Sequence, residues 1–520
     1  MKNKKILTTI LFFIILTIFF KLDFRYFNEL SCCGDDFDYY SHAYTIAIDR
    51  DFEYENQLLE PNEFTFFKNG KIAPLGFYGS GLLAAPFLYF GHVLDNMLIS
   101  SSVSYKVILY SLSSIFYLYV SVLLIYKSFK LLNINVDFTF LIISIVGSGL
   151  GYYAFERYSM THAYEAFTVS LIFFSIINIH TSKSNNRYLF LLALALFLGI
   201  SVRFTNYHLL FLPLIFEKLF FSDKSKSFFK NIYFWFYISV FLGLFYFINT
   251  KIYGEFLLNP LDIYYSDANR LTEYFEQIEN FFQFFSLNLS ILIKIIFTQE
   301  FGIFWFSPVV FVGLIYTIKS VFNKDKSNYL VILILLPFIY SFGTVAVWSS
   351  TASSYGFRYL FFLIPFSIIL FLSEQPQNSI IYKYIYIFSI FGLLSILFFE
   401  STPLTELSTT SIINTFGKED LYSNPTYLSG LLNSLLSITA LFKIFASSFL
   451  FLLFYKLFEN IFDFAEFFSS PMFNVSEFQK DKFLNTLDSY SDINLIQVFI
   501  VGFFLFLISN NMSKIKNEKF

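Results

Sequence analysis

"KILTTILFFIILTIFFKLDFRYFNELSCCGDDFDYYSHA" (residues 5–43) begins as an unbroken apolar run and ends in three carboxylates. The run over 6–21 follows a basic start, "MKNKK", and no small-residue cleavage site comes after it; Lys21, Asp23 and Arg25 do. We read it as an uncleaved first membrane span with a cytoplasmic N-terminus. Asp35, Asp36 and Asp38 then fall at the outer edge of the bilayer, in a chain otherwise poor in charge.

The 520 residues are 56% hydrophobic and 14% charged. A soluble domain carries roughly 25% charged residues, so the composition belongs to a membrane protein. A net charge of -3 argues against nucleic acid as a partner. The 78 Phe and 37 Tyr are read as base bias of the genome and not as a cofactor signal. Cys32 and Cys33 are adjacent, and vicinal cysteines bridge each other only with strain, so they are expected as free thiols.

Stretches of about 20 apolar residues are the unit of a helical membrane span. Besides 6–21, they lie at 105–126, 137–155, 164–181, 188–202, 205–221, 231–250, 302–319, 329–348, 357–373, 380–399, 433–457 and 493–510. The expected fold is an all-α polytopic bundle of about 11–13 transmembrane helices. Lys/Arg residues recur in alternate loops, around Lys127, Lys183, Lys224 and Lys324, which places those loops in the cytoplasm if 76–98 does not cross. The first extracytoplasmic loop is then 22–104, and 76–98 is a helix on the membrane face. The basic tail "SKIKNEKF" falls on the wrong side of this scheme, so one span after residue 430 is miscounted.

By this topology several polar groups collect on the outer face. "YYAFERYSMTHAYEAF" (152–167) brings Arg157, His162 and Glu165; "GISVRFTNYH" (199–208) brings Arg203; "WSSTASSYGFRYL" (348–360) brings Tyr355 and Arg358. Ionisable groups at membrane depth are costly, and so mark function or a partner. Each alone has a plainer explanation: a solvated acidic loop, arginines that snorkel outward, an interfacial histidine. Together, acids and bases from distant segments suit group transfer from a lipid phosphate. A carboxylate can take the proton of an acceptor hydroxyl, and cations can stabilise the departing phosphate.

"DDFDYYSHA" (35–43) resembles the acidic D-[DE]-x-x-Y-x-x-x-A motif in the first outer loop of GT-C glycosyltransferases. The nearest likeness is to the aminoarabinose-transferase-like and protein-mannosyltransferase-like branch. "GKIAPLGFYGSGLLAAPF" (70–87) is similar to the lysine, proline and glycine segment that follows the motif in that branch and packs on the membrane face. "VRFTNYHLLFLPL", "FGIFWFSPVVFVGL" and "WSSTASSYGFRYLFFLIP" resemble later blocks in order. The likeness covers about residues 6–375.

The resemblance implies a GT-C-type catalytic module over 1–400 and a C-terminal loop and spans of unassigned role over 401–520. It implies an inverting transferase in a bacterial inner membrane, with its active site on the extracytoplasmic face. The donor would be a polyprenyl-phosphate-linked sugar and the acceptor an envelope lipid, glycan or protein. Asp35 would be the base; Asp36 would assist it or help hold a divalent cation, Mg or Mn, with Asp35, Asp36 and His162 as the candidate ligands. No other cofactor is expected. Lys71 would stand near the donor phosphate, although "KIAPL" departs from the usual lysine–proline–proline–leucine. Arg203 and Arg358, by charge and position, would face the phosphate, with Arg157, His162 and Tyr355 beside the donor. The competing readings are a transporter or flippase of glycan-lipids, an O-antigen polymerase-like protein, and a non-catalytic scaffold. The absence of a visible repeat and the one-sided charge weigh against the transporter.

Overall fold

A computed structural model describes residues 34–58, 65–68, 70–97, 104–155, 157–181, 186–220, 228–258, 260–263, 275–276, 278–297, 302–322, 338–339, 342, 357–368, 380–398 and 449–469. The span 6–21, the cysteines, most of 329–348, most of 401–520 and the span 493–510 lie outside them. The span count and the side of the C-terminus therefore rest on sequence alone.

The described chain is mostly helical. Helix α1 (Gly34–Tyr44) starts with Asp35 and Asp36 in its first turn, where carboxylates complement the positive end of the helix dipole. It runs into a π-helical turn, Thr45–Asp49, which closes on Arg50 in the left-handed region at φ 62°. One departure from an all-α fold follows. Thr65–Lys68 (β1) and Lys71–Pro74 (β2) form an antiparallel hairpin with Lys68 opposite Lys71. Its two-residue turn is Asn-Gly, the pair that best accepts positive φ, and Gly70 sits at φ 76°.

Helix α2 (Gly79–Met97) lies over α1 and against α3 (Tyr105–Leu131). Helix α3 packs on α6 (His162–Thr181), which packs on α7 (Asn186–Val202), which packs on α9 (Ile232–Tyr253). Hydroxyls stitch α3 to α6: Ser113 to Tyr164 at 2.6 Å and Ser121 to Ser170 at 2.6 Å. Small serines let helices approach closely while the hydroxyls satisfy one another.

Among the described residues, three helices, α3, α6 and α9, are long and apolar enough to cross a membrane. They differ in what they face. Helix α6 is buried among its neighbours almost throughout, whereas α9 leaves Ile232, Trp235, Phe236, Val240 and Phe247 exposed. An apolar face this wide on an outer helix is what lipid contact requires and water does not favour.

Several expected spans are broken. The 137–155 stretch is two helices, α4 (Phe138–Val146) and α5 (Leu150–Phe155), separated by Gly147–Gly149. The cause is close backbone packing. A Cβ on Gly147 would collide with the Ser389 carbonyl, and one on Gly392 would collide with the Gly147 carbonyl; Gly149 has φ 81°. Residues 205–221 begin as a 3-10 helix, Phe204–Phe211, before α8 (Leu212–Phe220). Arg358–Leu363 is also 3-10. The 302–319 stretch breaks at Ser307, whose hydroxyl donates to the Ser148 carbonyl at 2.8 Å.

Candidate functional site

Helix α1 presents its three acids in different directions. The Asp35 side chain is about half exposed, at 54%. Asp36 is buried, and its Oδ2 accepts from Arg157 Nε at 3.0 Å. Arg157 comes from the turn between α5 and α6. Asp38 is buried on the third side and accepts from the backbone amides of Leu75 and Gly76. Burial, then the charge of Asp35 one turn away, holds the Asp38 carboxyl well above the usual carboxylate range.

The loop after β2 is gripped by α1. His42 Nε2 lies 2.6 Å from the Gly76 carbonyl, which can only accept, so Nε2 carries the proton. Nδ1 then accepts from the Tyr54 hydroxyl at 2.6 Å. Burial pushes the His42 imidazole down to about 4. A Cβ at Gly76 would stand 2.6 Å from the Tyr39 ring, so any larger residue there would push the ring away. At Gly81 a Cβ would meet His42 Cβ at 2.5 Å. These two glycines let the helix lie flat against the loop and α2.

Two further arginines reach the same end of the bundle. Arg203, in extended backbone between α7 and the 3-10 helix, points Nη1 at Glu165 Oε2 (3.4 Å) and His162 Nδ1 (3.5 Å). Arg358, first in its 3-10 helix, has Nη2 3.8 Å from Asp35 Oδ2. The Tyr359 ring lies between their roles: the Arg203 guanidinium carbon is 5.1 Å from its centroid and that of Arg358 5.3 Å. Both fall within cation–π range. Arg157, Arg203 and Arg358 all act electrostatically on His162, whose ring also packs against Tyr153 at 4.5 Å.

Six of the residues singled out in the sequence thus meet: Asp35, Asp36, Arg157, His162, Arg203 and Arg358. Lys71 is different. Its Nζ donates to both Glu53 oxygens at 2.8 Å, and its stem lies against Gly254 at the end of α9. It serves the hairpin's attachment to its neighbours, and the structure assigns it no contact with the arginine cluster. Tyr355 lies outside the described residues.

The candidate metal ligands each already face an arginine: Asp36 has Arg157, Asp35 has Arg358, and His162 has Arg203. Among the described residues, no three His, Cys, Asp or Glu side chains converge in a way that could hold a metal ion. Two residues escaped the sequence as site members, and a third was named without its partner. Tyr359 follows Arg358 directly and carries no pattern of its own. Tyr39 lies within electrostatic range of Asp35, Arg203, Arg358 and Asp38. Its signal was present, four residues after Asp35 and so on the same helix face. Glu165 stood in its motif as one acid among several, and only the fold brings Arg203 to it.

The arrangement can do two things chemically. It offers a half-exposed carboxylate able to take a proton, and beside it guanidinium groups able to hold an anion. No family model, curated protein or solved structure matches this chain.

Proposed function

We propose that this protein is an integral-membrane glycosyltransferase of the GT-C kind, moving one sugar from a polyprenyl-phosphate donor to an extracytoplasmic acceptor lipid, glycan or protein. The observation that carries this reading is the convergence of Arg157 on Asp36 and Arg358 on Asp35, with Arg203 on the same Tyr359 ring as Arg358, from three distant parts of the chain. The ordered sequence motifs and the lipid-suited faces of the helices support it.

In this reading Asp35, the exposed acid, takes the proton of the acceptor hydroxyl. The acceptor oxygen forms its bond to the anomeric carbon as the bond from that carbon to the phosphate oxygen breaks. The electron pair leaves on the phosphate, and Arg203 and Arg358 stabilise that developing charge. One displacement inverts the anomeric centre. Asp36 is neutralised by Arg157 and holds the N-terminal turn of α1 in place. The chemistry belongs to the bacterial inner membrane, with the site on its outer face.

The test compares the surface glycans, by mass spectrometry, of cells carrying the wild type, a deletion, or Asp35→Asn at matched protein levels. The expected result is that one sugar disappears in both the deletion and the variant. Full restoration by Asp35→Asn would overturn the reading.

A further inference from the structure

The two neighbouring acid–arginine pairs of the site are built differently. Asp36 and Arg157 are both buried and meet at 3.0 Å. Asp35 and Arg358 meet at 3.8 Å, with the carboxylate half in solvent. Arg358 is itself poorly satisfied for a guanidinium that is only 14% exposed. Its Nη1 reaches the Met160 sulfur at 3.9 Å, a weak acceptor, and its Nη2 reaches the Tyr359 hydroxyl at 3.4 Å. Its Nε is buried with no hydrogen-bond partner among the described residues. A guanidinium presents five donors in a fixed fork. Here one long ion pair, one thioether and one phenol share them, and an oxyanion would be held more tightly than any of these.

We propose that Arg358 is shared between Asp35 and the donor phosphate: it holds Asp35 in the donor-free protein and passes to the phosphate when donor binds, releasing Asp35 as the base. This rests on the transferase reading above. Three features of the site favour such an exchange. The loose pair is the one at the exposed mouth, so it can open without disturbing the bundle. Tyr359 supports the guanidinium face in either position, because cation–π attraction is tolerant of in-plane shifts. Arg203, on the same ring, already has its own carboxylate in Glu165, at 3.4 Å. The consequence is an order of events: the carboxylate becomes available only after the phosphate has arrived, which prevents idle binding of acceptor in front of an empty donor site.

The exchange predicts an unusual result. Removing the base should tighten binding of the phosphate, because Asp35 and the phosphate compete for one arginine. The probe is undecaprenyl phosphate, binding to the purified full-length protein in nanodiscs, with undecaprenol as the control without phosphate. Asp35→Asn should bind the phosphate about two- to fivefold tighter than wild type, the range expected for loss of a partly exposed ion pair. Arg358→Met should bind it about tenfold weaker or worse. In the double variant the gain from Asp35→Asn should vanish. Arg358→Gln, which removes the charge but keeps a polar side chain, provides the same comparison should Arg358→Met fold poorly: there too the gain from Asp35→Asn should vanish.

If Asp35→Asn binds no tighter than wild type, the exchange is wrong. If the tightening persists in Arg358→Met, Asp35 acts by simple charge repulsion, and the exchange is again wrong although the donor reading stands. If wild type does not distinguish undecaprenyl phosphate from undecaprenol, the donor reading fails and takes this proposal with it.

Discussion

Arg157 and Asp36, 121 residues apart in the chain, meet across 3.0 Å with both side chains buried. The pair ties the first turn of α1 to the turn that opens α6. A buried ion pair is weak as a source of net stability, but breaking one side leaves an uncompensated charge in a low-dielectric setting.

Asp36→Asn or Arg157→Gln should therefore destabilise the protein by about 3–5 kcal/mol. Asp35→Asn, at the exposed mouth, should cost less than about 1 kcal/mol. Thermal unfolding of the three variants in one detergent would show the contrast. Equal losses would mean that the two acids share one environment, against the geometry.

On the proposed transferase reading, activity should divide the other way. Asp35→Asn should lower transfer about 100-fold to 10,000-fold with the fold intact, as loss of a positioned base does. An in vitro transfer assay on membranes checks this, once glycan profiling has identified the missing sugar.

Lys71→Ala should leave transfer within about twofold of wild type, since the Lys71 ammonium is held by Glu53. That pair is largely exposed, and its loss should change stability by less than about 1 kcal/mol. A large loss of transfer would return Lys71 to the donor site.

His42 makes stability depend on pH. Its ring is buried and neutral, with its folded value down at about 4 against an ordinary 6.5. Between those values the unfolded chain binds a proton that the folded one refuses, so stability is full above about pH 6.5 and is lost as pH falls toward 4. The loss approaches roughly 3 kcal/mol at the low end. Asp38 works in the opposite sense: its raised carboxyl contributes stability while protonated and loses it as pH rises through its folded value. Denaturation followed across pH 4–7 should show a slope that flattens in His42→Gln.

Gly147→Ala should be among the most damaging single-methyl additions in the protein. The new Cβ would collide with the Ser389 backbone on a packed helix, which cannot yield as a side-chain tip can. Gly243→Ala, with nothing near its Cβ position, should be neutral or slightly stabilising. Expression and melting temperature of the two alanine variants, measured side by side, would separate these outcomes.

Helical character, the long apolar stretches of α3, α6 and α9, and the interest of Asp35, Asp36, Arg157, His162, Arg203 and Arg358 were all legible from the chain. Apolar length and the cost of isolated charge act locally, so the order of residues reveals them. The Asn-Gly pair at 69–70 was also a visible hairpin signal between short β-prone runs, and it was absorbed into the expectation of an all-α fold. The break at Gly147–Gly149 could not be read in the same way. The stretch is apolar throughout, and the reason for the break is a backbone crossing with residues 389–392.

What the sequence determined by itself was thus the helical, apolar character of the chain and the inventory of charged groups that its helices must accommodate. The tertiary structure decided the partnerships. Asp36 received Arg157, Glu165 received Arg203, Asp35 was left with a loose hold on Arg358, and Lys71 was turned to Glu53. A charge can be recognised as expensive from its neighbours in sequence, but what offsets it depends on which distant segment packing brings within about 4 Å.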